Sequence, residues 1–195
     1  MSEIVKRGDI AIVGAAESDL GQVSEGLSPI DLMAQGVFRA LKDCGLSIRD
    51  VDGIFAATSQ SRMAGLALAE YLGLPDAYLD STMTGGSSFM LQLAHVQNAI
   101  ATGQCNVAVI AYGSTQRSVG RKFTSAPEHS PYEAPFRPLL PASAYAMAAM
   151  RHMHEFGTTR EQLAEVAVAA RKWALLNPVA WEKEPLTVPE VLASR

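Results

Sequence analysis

Residues 80–113 read DSTMTGGSSFMLQLAHVQNAIATGQCNVAVIAYG, and their reading decides the fold. In order they give the end of a strand running from Ala77 to Thr84, a tight glycine turn, a helix from Ser87 to Ala101 stopped near Gly103, and a strand from Val107 to Tyr112. No side chain of formal charge stands between Asp80 and Arg117, and a helix uncharged on every face is expected where two layers enclose it. A glycine turn feeding such a helix can aim backbone N–H groups and a positive helix end at an anion, or present a nucleophile on a sharp bend. At this pivot the sequence places Gly85, Gly86, Ser87 and Ser88, and no cysteine.

The chain before this stretch alternates strand and helix. IAIVG at Ile10–Gly14 predicts a short buried strand feeding a loop. Ser28 is a natural N-cap, Pro29 suits the first helical position, Asp31 favours the first turn, and Gly45 supplies the stop. Between them Ile30, Met33, Val37, Leu41 and Cys44 recur at helical spacing, so Cys44 reads as a small hydrophobe on a packed face. Val51–Ala57 predicts a second strand, and Met63–Leu72 a second helix closed by Gly73 and Pro75. Such alternation predicts an α/β unit with parallel strands and helices laid on the sheet.

After Gly113 the pattern changes. Ser114–Leu140 is rich in Ser, Pro, Arg and His and has no clear period, as in a functional or disordered loop. A helix is predicted over Ala142–Phe156, carrying Tyr145, Met147, Met150 and Met153 and ending at Gly157. Thr158 and Glu161 form a capping box for a further helix reaching Leu176, with Leu163, Val166, Ala170 and Trp173 on its buried side, and Thr187 caps a last short helix. The expected organisation is an α/β domain over residues 1–113 and a mostly helical domain over 114–195.

Composition narrows the functions. The 195 residues are 48% hydrophobic, 18% charged and only 7% aromatic, which suits close-packed α/β layers. A net charge of −4 supplies no basic field for nucleic acid. Two cysteines, Cys44 and Cys105, fit a reducing compartment, and the apolar helices are interrupted by polar residues, so a cytoplasmic protein without a membrane span is expected.

The chemistry-bearing residues are few. Ser87 and Ser88 lack a G-x-S-x-G elbow and a convincing base, and capping of the helix is the more economical reading. His95 follows Ser88 by seven residues, roughly 10 Å along the axis, too far for a nucleophile and its base. It reads as a hydrogen-bonded core histidine. His152 and His154 point to different faces, and no Cys/His cluster predicts a metal. The methionines near Tyr145 read first as packing residues and second as the border of an acyl channel. Arg117, Arg121 and Lys122 can meet phosphates, though scattered loop bases are ordinarily solvated charge.

IAIVGAAESDLG, DLMAQGVFRALKDCGLSIRDVDGI, the 80–114 stretch and YAMAAMRHMHEFGTTREQLAEVAVAARKWALLNPVAW, in that order, resemble the N-terminal half of the thiolase superfamily. The closer similarity is to its SCP2-type, or lipid-transfer-protein-type, branch, and the last segment is like that branch's loop domain. The resemblance implies half of a five-layer αβαβα fold, in which the helix near Ser87 is the central one. The nucleophilic cysteine of true thiolases would fall at Gly86, so an acyl-cysteine intermediate is not available. What the resemblance leaves is an oxyanion or enolate site at Gly85, Gly86, Ser87 and Ser88, with Met147, Met150 and His95 as substrate-binding residues.

It further implies carbon–carbon bond cleavage or formation on a coenzyme A thioester, by a cysteine-independent retro-aldol route, with no covalently bound cofactor. Expected partners are a second copy, a DUF35-type OB-fold protein, or the C-terminal half that family members carry beyond the position of Arg195 and that would supply the base. The alternative is a non-catalytic acyl-CoA- or lipid-binding subunit or scaffold.

Overall fold

The computed structural model describes residues 8–119, 130–139 and 141–194. The chain divides into two compact units, Met1–Ala126 and Pro127–Arg195.

In the first unit, local signals set the helix ends. Helix α1 (Pro29–Cys44) opens with a full capping box: Ser28 Oγ accepts from the Asp31 N–H while Asp31 accepts from the Ser28 backbone. It closes on Gly45, whose φ of 74° is the left-handed conformation that glycine adopts at least cost. Helix α2 (Ala64–Leu72) closes likewise on Gly73.

Three strands, β1 (Gly53–Ala56), β2 (Tyr78–Asp80) and β3 (Ala108–Ala111), form a parallel sheet in the order β2-β1-β3. The register pairs Ile54 with Leu79 on one side and with Val109 on the other. The chain moves outward from β1 to β2 and then back across β1 to β3. Right-handed crossovers in opposite directions place their helices on opposite faces, so α2 joins α1 on one face while α3 (Ser88–Ala101) takes the other. The central strand is therefore buried on both sides, with Ile54 and Ala56 facing α1 and α2 and Phe55 facing Val96 and Ala99 of α3.

The structure corrects three expectations here. Ile10–Gly14 is not a strand, and Ile12 and Val13 are 75% and 62% exposed. The segment lies along α1, tied by the Ala15 N–H to Asp43 Oδ2 and, farther on, by Arg39 to the Glu17 carbonyl and Asp19. A strand needs a neighbour for its backbone, and this segment lies against α1 and pairs with neither edge strand of the β2-β1-β3 sheet. The strand predicted to Thr84 stops at Asp80, because Asp80 Oδ1 accepts the Thr82 N–H at 2.6 Å and turns the chain out of the sheet. Helix α3 is covered on one face only: Ser88, Gln92, Val96 and Ala99 are buried, whereas Met90 is 71% exposed.

In the second unit, α4 (Ala142–Phe156) has no buried residue, which corrects the packing role expected for its methionines. Helix α5 (Arg160–Leu176) starts from a box made by Thr159 and Gln162, one residue beyond the Thr158 and Glu161 pair. It packs against α6 (Val188–Ala193), itself capped by Thr187 and Glu190. Ala164, beside Val191 and Leu192 of α6, and Val168 are the buried residues of α5, whereas Val166 and Trp173 are exposed, contrary to the expected buried side.

Candidate functional site at the glycine turn

Because the strands are parallel, the loops leaving their carboxyl ends gather at one end of the sheet. Two of these loops are tied together. Thr58 Oγ1 donates to the Gly113 carbonyl at 2.8 Å, and Gln60 and Thr115 exchange two hydrogen bonds of 3.0 and 2.8 Å. The third loop carries the glycine turn from Ser81 to the start of α3, and Ser81 Oγ accepts the N–H of Gly65 on α2 at 2.9 Å.

Gly85 has φ +75°, so glycine is required there. A Cβ built at Gly85 or Gly86 would meet no atom within 4 Å, so the turn opens outward. Ser88 is fully buried and already committed: its hydroxyl accepts from the Thr84 N–H at 2.8 Å and donates to the Gly85 carbonyl at 2.6 Å. Ser87 occupies the N-cap position, but its hydroxyl donates back to the Thr84 carbonyl at 3.1 Å and accepts nothing from the helix. The expected capping by these serines is thus replaced by bonding to the preceding turn. It leaves the start of a 14-residue helix without a side-chain cap, the Ser88 N–H bonding instead to the Gly85 carbonyl at 3.1 Å, and with the partial positive charge of a helix N-terminus.

No serine here is paired with a base. His95 bonds through Nδ1 to Asp80 Oδ2 at 2.5 Å, so it is hydrogen-bonded as expected, but it is one-third exposed and not a core residue. The pair lies beside the free edge of β2, in a groove of about 540 Å³ lined also by Tyr78, Thr82, Asn98 and Thr102. Burial pushes the Asp80 carboxyl up, but the hydrogen bonds from Thr82 and His95 outweigh it and hold the group below the usual carboxylate range.

Neither thiol stands at the turn. Cys105 follows the far end of α3, is 1% exposed, and has its ionisation pushed up by burial and by the Asp52 charge. Cys44 ends α1, with its Sγ against the Leu41 carbonyl. Met147 and Met150 belong to the second unit and are 75% and 64% exposed. His152 stacks on Phe156 at 4.8 Å. Arg121 and Lys122 lie outside the described residues. Among the described residues no group of three His, Cys, Asp or Glu can hold a metal ion, and no helix is long and apolar enough to cross a membrane.

Sequence reasoning missed Asp80, the partner of His95, and Gln92, whose Nε2 donates to the Thr82 carbonyl at 3.1 Å from a fully buried position. The signal for Gln92 was its spacing: it stands one turn after Ser88, on the face shared with Val96 and Ala99.

No family model matches the chain. It is 31% identical over 200 residues to the 17-hydroxy-3-oxo-4-pregnene-20-carboxyl-CoA lyase of Mycobacterium tuberculosis, a match covering 96% of this chain and 51% of that protein. Among solved structures it superposes on an Ltp2-ChsH2(DUF35) aldolase with a TM-score of 0.74 and 29% identity, over 95% of this chain and 48% of that one. It shares its fold with a monomeric SCP2-thiolase-like protein of Mycobacterium smegmatis, at TM-score 0.66 and 22% identity, over 94% of this chain and 39% of that one. The chain spans about half the length of the curated relatives it matches. With its parallel α/β sheet and the helix that starts at an open glycine turn, the chain has a thiolase-like fold and is similar over its length to half of these thiolase-like proteins.

Proposed function

We propose that the full-length protein cleaves a carbon–carbon bond of a β-hydroxyacyl-CoA thioester by a retro-aldol route that needs no cysteine. The observation that carries this reading is the uncapped N-terminus of α3 at an open turn, where Gly86 stands and no thiol does. A base takes the β-hydroxyl proton, the Cα–Cβ bond breaks, and a carbonyl product leaves. The electron pair passes to the thioester as an enolate, which is then protonated. Backbone donors at Gly85–Ser87 stabilise the enolate oxygen, while the Ser88 N–H is held by the Gly85 carbonyl at 3.1 Å. The lyase and the aldolase among the similar proteins support this choice of reaction.

In this reading the base comes from outside the described residues. A DUF35-type OB-fold protein is the partner of first choice, because the similar aldolase structure contains one. A second copy of this chain is the other expected partner.

The test incubates the full-length protein, with and without a DUF35-type partner, with a β-hydroxyacyl-CoA before and after iodoacetamide treatment. Release of the carbonyl product and the shortened acyl-CoA should survive alkylation. Thiolysis that needs free coenzyme A and is lost on alkylation would overturn the reading. Calorimetric binding of acyl-CoA without turnover would make the protein a binding subunit instead.

A further inference from the structure

We propose that Ser88 and Gln92 are positioning residues that clamp the glycine turn onto α3; the inference rests on the reaction proposed above. Both side chains are fully buried, one helical turn apart on one face. Ser88 Oγ holds the Thr84 N–H at 2.8 Å and the Gly85 carbonyl at 2.6 Å, while Gln92 Nε2 holds the Thr82 carbonyl at 3.1 Å. The backbone leading into the turn is therefore fixed at three points by the helix that the turn begins, after leaving the sheet at Asp80.

Gln92 Oε1 is buried and has no partner among the described residues. Leucine or methionine would fill a similar volume without that orphaned acceptor, so glutamine costs stability here. What it gives is a fixed Thr82 carbonyl and, through it, a fixed path into the turn. Oxyanion donors need such placement, because their value falls steeply with small displacements.

Three variants of the full-length enzyme test the clamp. Ser88→Ala and Gln92→Leu should each lower kcat by about a hundredfold with KM little changed. Gln92→Glu keeps a donor only while its carboxyl is protonated, so it should retain activity at low pH and lose it as pH rises, a profile the native enzyme lacks. In this chain alone, Ser88→Ala should speed exchange of the Thr84 amide by about tenfold while the β1 amides stay protected. Native kcat in Ser88→Ala and Gln92→Leu, or a Gln92→Glu pH profile like the native one, would overturn the clamp. If the native enzyme cleaves nothing, the proposed reaction fails by itself and amide exchange decides: an unchanged Thr84 rate overturns the clamp, and a faster one upholds it.

Discussion

Replacing Gly86 by cysteine puts a thiol where the resemblance to thiolases places one, and the structure says what that thiol should do. Gly86 does not have a positive φ, and a Cβ there meets nothing within 4 Å, so the substitution introduces neither backbone strain nor a clash. The new side chain precedes the N-cap Ser87 of a helix whose start no side chain caps. A thiolate there gains the interaction of an anion with a helix N-terminus, about 1 kcal/mol, which lowers its pKa by about 0.7 unit. From an unperturbed value near 8.5, that raises the thiolate fraction at pH 7 from about 3% to about 14%.

The assay is the pH dependence of iodoacetamide alkylation, followed by mass spectrometry in a Cys44→Ala background. Cys105, at 1% exposure, should stay silent. A Gln97→Cys variant, on the exposed face of α3 away from its ends, is the reference. Gly86→Cys should titrate below Gln97→Cys and react between four and five times faster at pH 7, by the same estimate of about 1 kcal/mol. A Gly86→Cys thiol that titrates at or above the reference would refute the claim that this turn presents a positive, uncapped helix end.

Other consequences can be measured on the chain alone. Gly113 follows β3 and lies against the start of α1, and a Cβ there would overlap the Pro29 carbonyl, so Gly113→Ala should destabilise the first unit by about 1–3 kcal/mol in urea titration. The Asp31 carboxyl is held below its usual range, first by the Ser28 hydroxyl, then by the Ser28 backbone and the Tyr71 hydroxyl. A depressed carboxylate contributes stability above its unfolded pKa and loses it as pH falls through the folded value. Tyr71→Phe should therefore raise the Asp31 pKa seen by NMR and shrink the acid-side loss of stability, and an unchanged Asp31 titration would contradict the bond at 2.9 Å.

What could be read from the sequence follows the range of the forces involved. Helix α1 was legible to the residue because Ser28, Pro29, Asp31 and Gly45 act within a turn of the ends they set. The parallel sheet followed from alternation alone, since β1, β2 and β3 are separated by crossover helices. The strand expected at Ile10–Gly14 failed because β propensity says nothing about whether a neighbour is there to pair. The box at the start of α5 slipped by one residue because TTREQ holds two overlapping candidates, Thr158 with Glu161 and Thr159 with Gln162, and only backbone geometry chooses between them.

At the site, the glycine turn and the missing cysteine were plain in the residues. The use of Ser88 as a tie and not as a cap or nucleophile was not, because it depends on where Thr84 and Gly85 fold back. The pairing of Asp80 with His95 likewise joins the end of a strand to the middle of the next helix, which only the crossover brings together.

The central claim is that carbon–carbon cleavage proceeds at this turn without a covalent acyl-enzyme. Intact-mass spectrometry of the full-length protein, quenched during turnover of a β-hydroxyacyl-CoA, tests it most directly. Products should accumulate while the protein keeps its unmodified mass. A stoichiometric mass increase equal to an acyl group, built up during turnover and discharged by coenzyme A, would contradict the account.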